Sequence, residues 1–265
     1  MFHGNKKKEN TKILTEEELI KSEQQLNKIK IIQKEILERK EKPDLDEKNL
    51  ELLIKVAAIM PDFYTLWNYR KKIILDLKTK KPHEEFYKFL QNEINQTSYF
   101  QKTNPKSYVL WNHRIWCLEK VCEIEKVLGI QLEASLLTAE INNCNFFLER
   151  DDRNFHVWNH RLTIFNLIRE NFKEKFGDFL KKELNFTITM IKKNCSNFSA
   201  WHYRSKLIPL YFMMNKIKWN SEDALNYLLT DLELIINAVF TDPKDQSPWN
   251  YHLWIVNNVT PPYVI

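Results

Sequence analysis

Glycine is nearly absent from this sequence. Only Gly4, Gly129 and Gly177 occur among 265 residues, whereas glycine makes up about 7% of an average protein. Sheets joined by tight turns and phosphate-binding loops depend on glycine, so its scarcity argues against both. Leucine, isoleucine, lysine and glutamate are abundant instead, and we predict an all-α fold.

Long apolar runs are also missing. No stretch approaches the roughly 20 uncharged apolar residues of a membrane-spanning helix. The N-terminus contains Lys6, Lys7 and Lys8, but the apolar run that follows the basic residues of a secretory signal is absent. We therefore predict a cytoplasmic protein with no direct membrane span.

The sequence shows neither paired cysteines nor a basic stripe. Its four cysteines form no C-x-x-C motif, which argues against a zinc ribbon or a redox motif in this chain. Cys122 and Cys144 fall on apolar helical stripes and are predicted to be buried. The net charge of +5 is spread among many acidic residues, so nucleic acid is not an expected partner.

The polarity of the chain divides it into a polar N-terminal tail, residues 1–13, and a helical-repeat domain, residues 14–265. Thr15 and Glu18 form a capping box that opens the first predicted helix, and Pro43 ends that helix. Asp46 is placed to cap the second helix, which stops at Pro61.

A ten-residue motif recurs five times along the chain. Its copies are PDFYTLWNYR (61–70), PKSYVLWNHR (105–114), DRNFHVWNHR (152–161), CSNFSAWHYR (195–204) and PKDQSPWNYH (243–252). The central tryptophans are separated by 44, 47, 43 and 48 residues. Five copies at such a period predict an array of repeats.

Each repeat is predicted to be a helical hairpin. In four copies the residue four positions before the tryptophan is a strong helix N-cap former, namely Ser107, Asn154, Asn197 or Asp245. The second helix of each pair should therefore start there, with the tryptophan one turn in. Because one hairpin cannot bury its apolar face alone, successive hairpins are expected to stack into a superhelical solenoid.

The motif tryptophans are predicted to be core wedges between neighbouring hairpins. An arginine follows three residues later in four copies, and His252 takes its place in the fifth. That arginine shares the helix face of the tryptophan. Two alternatives stay open: it stacks on the ring, or it pairs with a carboxylate of a neighbouring repeat.

The W-[NH]-[YH]-R core, preceded by N/P-x-[SN]-[YF], resembles the alpha-subunit repeat of protein prenyltransferases. The resemblance covers about residues 45–257, and five copies make it specific. These copies and the start MFHG are more similar to the Rab geranylgeranyltransferase type than to the subunit shared by farnesyltransferase and geranylgeranyltransferase I. Val109 also stands where farnesyl-type relatives carry a polar residue.

The resemblance implies an enzyme that is active only as a heterodimer. The alpha subunit surrounds a beta subunit, which binds the zinc ion, while this chain binds no metal alone. The pair transfers geranylgeranyl from geranylgeranyl diphosphate to C-terminal cysteines of Rab GTPases, which a Rab escort protein presents. The metal makes a nucleophilic thiolate of the substrate cysteine.

Four polar side chains are expected to meet at one edge of the solenoid. Lys106 and Tyr108 precede the second tryptophan, and Asn154 and His156 precede the third. Equivalent positions stack in a solenoid, so these residues should lie at the starts of adjacent second helices, where free N–H groups suit an anion.

The resemblance gives these residues roles. It implies that Lys106, Asn154 and His156 bind the isoprenoid diphosphate. It also implies that Lys106, Tyr108 and His156 are catalytic, because they offset the charge that develops on the leaving diphosphate. Arg153 and Lys244 occupy the position of Lys106 in two other repeats and are expected to be solvated or to face a partner.

Three matters stay open. A separate hypothesis makes His3 a transient ligand of the partner's zinc. Family members usually continue past the fifth copy, whereas this chain stops at Pro261-Pro262-Tyr263-Val264-Ile265, so it is interpreted as a truncated or a naturally short form. Alternative functions are the shared alpha subunit and a non-catalytic helical-repeat scaffold.

Overall fold

A computed structural model describes residues 16–41, 45–129 and 135–259. Within these ranges the protein forms eleven α-helices and no strand, which confirms the all-α prediction. The helices are α1 (Glu16–Glu41), α2 (Lys48–Ile59), α3 (Tyr64–Lys80), α4 (His83–Thr103), α5 (Tyr108–Leu128), α6 (Ser135–Arg150), α7 (Phe155–Asn171), α8 (Phe176–Lys193), α9 (Phe198–Met214), α10 (Glu222–Thr241) and α11 (Gln246–Val259). The described residues exclude the predicted N-terminal tail, to which His3 belongs, and also Thr15 and Pro43.

The helices belong to two compact units, one up to Lys80 and one from Lys81. In the first unit, α2 and α3 form the hairpin of the first motif copy, and α1 also packs on α3. Arg70 Nη1 donates to the carbonyl oxygen of Leu50 at 2.6 Å, across the hairpin. Arg39 Nη1 of α1 donates to Oδ1 of the buried Asn49 at 2.7 Å. Polar groups thus join all three helices.

The second unit contains four hairpins. The antiparallel partners are α4 with α5, α6 with α7, α8 with α9, and α10 with α11. The second helices also contact one another in the order α5, α7, α9 and α11. This stacking is the repeat solenoid that the motif spacing predicted.

The N-caps predicted for the second helices of the last four motif copies are present, whereas α2 is capped by Glu47 without a side-chain hydrogen bond and not by Asp46 as predicted. The side-chain oxygens of Ser107, Asn154 and Asn197 accept backbone N–H groups in the first turns of α5, α7 and α9. Asp245 directly precedes α11, which begins at Gln246, and its Oδ1 accepts the N–H of Ser247 at 2.8 Å. Each cap satisfies a donor that the helix leaves unpaired.

The motif tryptophans are buried in four of the five copies, as predicted. Trp67, Trp111, Trp158 and Trp201 are at most 4% exposed, whereas Trp249 is 44% exposed. In every copy the indole N–H donates to the carbonyl oxygen six residues earlier, over 2.7 to 3.1 Å. This bond fixes the loop that precedes each second helix.

Helix α10 is long and apolar enough, by length and composition, to cross a membrane. Asp231 in its middle is fully buried and accepts hydrogen bonds from Arg204 of α9 and Tyr251 of α11. These bonds, and its packing on α11, identify α10 as the first helix of the fifth hairpin.

Candidate functional site

The predicted site lies where α5 and α7 begin. Tyr108 is the first residue of α5, and Phe155 is the first residue of α7. The ring centroids of Tyr108 and His156 are 4.2 Å apart, with the rings nearly perpendicular. The structure therefore brings these two predicted residues of successive repeats into contact.

Asn154 joins the two loops of the site. Its Oδ1 accepts the N–H of His156 at 3.1 Å, and its Nδ2 donates to the carbonyl oxygen of Pro105 at 3.1 Å. Asn197 repeats this arrangement one hairpin later, because its Nδ2 donates to the carbonyl oxygen of Asp152 at 2.7 Å. The asparagine thus sets the spacing between successive helix starts.

Lys106 stands at the open side of the site. Its Nζ lies 3.1 Å from Asp151 Oδ2; the Lys106 side chain is largely in solvent and that of Asp151 is half-buried. Sequence reasoning did not find Asp151, which begins the loop after α6. The pair leaves Lys106 within reach of a ligand, since a surface ion pair is worth only about 1 kcal/mol or less.

The protonation of His156 is set by its surroundings. Burial lowers the pKa of His156, and the nearby charge of Lys106 lowers it further. The side chain is buried, whereas Tyr108 beside it is 61% exposed. A neutral imidazole offers one N–H donor, and an arriving anion would favour the charged form with two.

The positions equivalent to Lys106 have other neighbours. Burial alone would raise the pKa of Asp245, but hydrogen bonds from Ser196 and Ser247 and the charge of Arg153 outweigh burial and lower it. The backbone N–H of Lys244 donates to Asp242 Oδ1 at 3.1 Å. The expectation that Arg153 and Lys244 are solvated or face a partner stays a prediction.

Comparison with known proteins decides the family. The sequence profile of the protein prenyltransferase alpha subunit repeat matches residues 46–77, 90–121, 137–168, 180–211 and 228–259. The chain belongs to the protein prenyltransferase alpha-subunit family. All four residues of the predicted site lie within matched repeats of this family.

Individual relatives agree with this membership. The geranylgeranyl transferase type-2 subunit alpha of Mus musculus is 34% identical over 98% of this chain and 42% of the relative. The Saccharomyces cerevisiae protein of the same name is 31% identical over 97% of this chain and 73% of the relative. These names confirm the predicted geranylgeranyltransferase resemblance. The chain spans less than half the length of the mouse relative.

A solved structure shows the same fold. The Candida albicans protein geranylgeranyltransferase-I complexed with GGPP matches with a TM-score of 0.63, at 22% identity, over 88% of this chain and 67% of that one. The helical-hairpin architecture is therefore that of a prenyltransferase.

A set of buried carboxylates, which the sequence analysis missed, joins the family's repeats. Glu140 of α6 accepts two hydrogen bonds of 2.7 Å from Arg114 of the preceding repeat. His160 Nε2 of its own repeat lies 2.7 Å from the same carboxylate. The arrangement recurs as Arg161–Glu183–Tyr203 and Arg204–Asp231–Tyr251. Of the two alternatives for the motif arginine, carboxylate pairing is confirmed for Arg114, Arg161 and Arg204.

The Glu140 carboxylate is ionised. Burial would raise the pKa of Glu140, but the charge of Arg114 and the hydrogen bonds of His160 and Arg114 outweigh it and hold the pKa well below its usual range. A regular spacing in the sequence could have revealed these pairs. In the last four motif copies, the second residue after the tryptophan, such as His113 after Trp111, pairs with an acidic residue 20 positions earlier, here Glu93. The network holds the hairpins in register. The predicted site is separate from it and lies in the loops and first turns at the starts of α5 and α7.

Among the described residues, the side chains of Glu93, His113 and Cys117 could together hold a metal ion, because their ligand atoms lie within 4.8 Å of one another. All three are buried, and His113 Nε2 is 2.8 Å from Glu93 Oε1. The pair repeats as His160 and Glu140, so a structural role explains it. A catalytic zinc needs an open position for its substrate, which this buried cluster does not offer.

The cysteine prediction is confirmed for both residues that it named. Cys122 and Cys144 are buried and free. Burial raises the pKa of the Cys122 thiol to about 11, with the nearby charge of Glu125 as the next cause. Neither thiol is therefore a nucleophile at neutral pH.

Proposed function

We propose that this chain is the alpha subunit of a heterodimeric geranylgeranyltransferase, and that its partner is a zinc-bearing beta subunit. The heterodimer transfers geranylgeranyl from geranylgeranyl diphosphate to C-terminal cysteines of Rab GTPases, which an escort protein presents. Family membership and the names of the relatives support the alpha-subunit role. The solved prenyltransferase of the same fold is complexed with GGPP, which supports geranylgeranyl diphosphate as the donor substrate.

The observation that carries the proposal is the contact between Tyr108 and His156, with Lys106 and Asn154 beside them. A non-catalytic scaffold has no need of a lysine, an exposed tyrosine and a histidine at paired helix starts. A diphosphate placed there would meet two positive helix ends and the Lys106 charge.

The chain's own residues act on the leaving group. Lys106 exchanges Asp151 for a diphosphate oxygen, and the side chains of Tyr108 and His156 donate hydrogen bonds to it. Because negative charge grows on the diphosphate as the C–O bond breaks, these donors stabilise the transition state more than the ground state. Zinc held by the partner subunit would lower the pKa of the substrate thiol and so favour its thiolate.

Asn154 has a positioning part in this proposal. Its Oδ1 holds the start of α7, and its Nδ2 holds the Pro105 carbonyl. A diphosphate contact from its second amide hydrogen remains part of the hypothesis. We also propose a cytosolic location, which the four free cysteines support. The role of His3 remains a hypothesis of the same kind.

The direct test is co-expression with a type-2 beta subunit, followed by co-purification and a transfer assay with geranylgeranyl diphosphate, a Rab protein and its escort. Transfer that depends on both chains supports the proposal. A stable heterodimer with a farnesyltransferase beta subunit instead would favour the shared-subunit alternative. Failure to bind either beta subunit would favour the alternative of a non-catalytic helical-repeat scaffold.

A further inference from the structure

Phe155, the first residue of α7, contacts the side chain of its neighbour His156. The ring centroids are 4.0 Å apart, and the ring planes are inclined by 32°. Other consecutive aromatic residues lie further apart, since the centroids are separated by 5.6 Å in Tyr99–Phe100 and by 5.3 Å in Phe146–Phe147. The side chains of Phe155 and His156 therefore turn toward one another at the start of α7 and pack closely.

The equivalent phenylalanine of the next repeat packs differently. Phe198, 43 positions after Phe155, is the first residue of α9. Its ring stacks on His202, with the centroids 5.8 Å apart and the planes 16° from parallel, which is the i,i+4 contact that helices commonly make. The residue that follows Phe198 is Ser199 and has no ring. A ring contact between the first two residues of the helix thus belongs to the repeat that carries the predicted site.

Tyr108 covers the imidazole of His156 from the preceding repeat. Its ring centroid lies 4.2 Å from that of His156, with the planes nearly perpendicular, and 5.8 Å from that of Phe155. His156 is 7% exposed, whereas Phe155 is 46% and Tyr108 is 61% exposed. Two partly exposed rings therefore enclose a buried imidazole. We call Phe155 and Tyr108 the aromatic clamp.

The aromatic clamp takes the place of the carboxylate that anchors other buried histidines of this protein. His113 and His160 each hold Nε2 at 2.7 to 2.8 Å from a buried carboxylate. For His156, within the described ranges, burial and the charge of Lys106 lower the pKa, and no carboxylate contributes. The direction of its imidazole is thus fixed by ring packing. A ring nitrogen stays available for a ligand, whereas a carboxylate would occupy it.

We propose that Phe155 is a positioning residue of the transfer reaction, because it and Tyr108 hold the His156 imidazole in the direction in which its N–H meets the leaving diphosphate. This inference rests on the proposed function and deepens it, since it adds a residue that acts through His156. A donor that is already oriented needs no rearrangement as charge develops on the diphosphate. The loss of Phe155 should therefore affect the transfer step more than the binding of geranylgeranyl diphosphate.

The first test observes the His156 imidazole by NMR, in a heterodimer whose alpha chain carries 13C-labelled histidine. The signal that is lost in His156→Gln is assigned to His156. Because burial lowers the pKa of His156, Phe155→Ala should raise that pKa, whereas Phe155→Tyr, which keeps a ring, and the matched control Phe198→Ala should leave it unchanged. Lys106 and Tyr108, the titratable side chains that act on or contact the ring, are the same in these variants. An unchanged pKa of His156 in Phe155→Ala would overturn the inference.

The second test separates the transfer step from binding. In single turnovers of the heterodimer with bound geranylgeranyl diphosphate and an escorted Rab protein, Phe155→Ala should slow transfer about tenfold, the upper end of what an aromatic pair contributes. The dissociation constant of geranylgeranyl diphosphate should change less. Phe155→Tyr should retain the rate of transfer, and Phe198→Ala should remain near wild type. Equal losses in the two alanine variants would indicate a general structural effect and contradict a positioning role.

A double-mutant cycle shows whether Phe155 acts through His156. If it does, the two losses are not additive, and the variant with both Phe155→Ala and His156→Gln should transfer no more slowly than His156→Gln alone. Additive losses would give Phe155 an effect independent of His156 and would overturn the inference. The NMR titration requires no transfer. A wild-type heterodimer that prenylates no Rab protein, together with a pKa of His156 that depends on Phe155, would contradict the proposed function while confirming the aromatic clamp.

Discussion

Arg114 and Glu140 join two successive repeats through a pair of parallel hydrogen bonds, each 2.7 Å long. Both side chains are buried, and His160 contacts the same carboxylate. The geometry is the bidentate one that gives arginine–carboxylate pairs their strength. It explains why the motif places an arginine, not a lysine, three residues after the tryptophan.

Replacing Glu140 should destabilise the protein strongly. In Glu140→Ala the Arg114 guanidinium stays buried without its carboxylate, which costs about 3–5 kcal/mol in comparable cases. The free energy of unfolding in urea measures this loss. The control is Glu38→Ala, which removes an exposed i,i+4 partner of Lys34 and should change the free energy by well under about 1 kcal/mol. Equal effects of the two substitutions would contradict a structural role for the buried pair.

Asn154 and Asn197 separate structural from ligand-binding effects. In successive repeats each asparagine donates from Nδ2 to a carbonyl oxygen of the preceding loop and accepts at Oδ1 a backbone N–H of its own helix start, from His156 for Asn154 and from Ala200 for Asn197. Asn154→Ala and Asn197→Ala should therefore each lower the free energy of unfolding by about 1–2 kcal/mol. Only Asn154→Ala should also weaken the binding of geranylgeranyl diphosphate to the heterodimer. If both variants bind the diphosphate alike, Asn154 has a structural role alone.

The lowered pKa of His156 predicts how diphosphate binding depends on pH. Burial and then Lys106 lower that pKa in the free protein, and a bound diphosphate would raise it. Protonated His156 therefore strengthens diphosphate binding fully at a pH below its pKa in the free protein. This contribution is lost as the pH rises through the pKa of His156 in the complex. The affinity of wild type should increase from pH 8 to about pH 6, the range in which histidine titrates.

His156→Gln is the control for this pH dependence, because the diphosphate titrates as well. The variant should show a smaller increase in affinity over the same range, in isothermal titration with geranylgeranyl diphosphate. Identical pH profiles for His156→Gln and wild type would show that His156 does not contact the diphosphate.

Asp151 should compete with the diphosphate for Lys106. The two side chains lie 3.1 Å apart in the structure, so Asp151→Asn releases the lysine. Because exposed ion pairs contribute up to about 1 kcal/mol, the affinity for geranylgeranyl diphosphate should rise by up to about fivefold. Glu149→Gln removes another exposed acid of the same segment and should have less effect. A weaker affinity in Asp151→Asn would reverse the assigned role of the pair.

The architecture could be predicted because its signals are local. The N-caps Ser107, Asn154 and Asn197 act within one helical turn, and the tryptophan spacing gives the repeat directly. The closeness of Tyr108 and His156 followed from stacking equivalent positions. The predictions on residues 1–13 and on His3 stay untested, since they lie outside the described residues.

The partners of the charged side chains were harder to predict from the sequence. An acidic residue inside an apolar helix stripe, such as Glu140 or Asp231, is compatible with solvent exposure and with burial against an arginine. The choice depends on a side chain of another repeat. The same holds for Asp151, whose contact with Lys106 joins two loops that only stacking brings together.

The most direct test of the account is the dissociation constant of geranylgeranyl diphosphate for the heterodimer carrying Lys106→Ala, compared with Lys244→Ala. Both substitutions remove a lysine five residues before a motif tryptophan. Loss of a charged hydrogen bond costs about 1.5–3 kcal/mol, so Lys106→Ala should weaken binding by about ten- to a hundredfold, with Lys244→Ala near wild type. Equal affinities for Lys106→Ala, Lys244→Ala and wild type would contradict the diphosphate site.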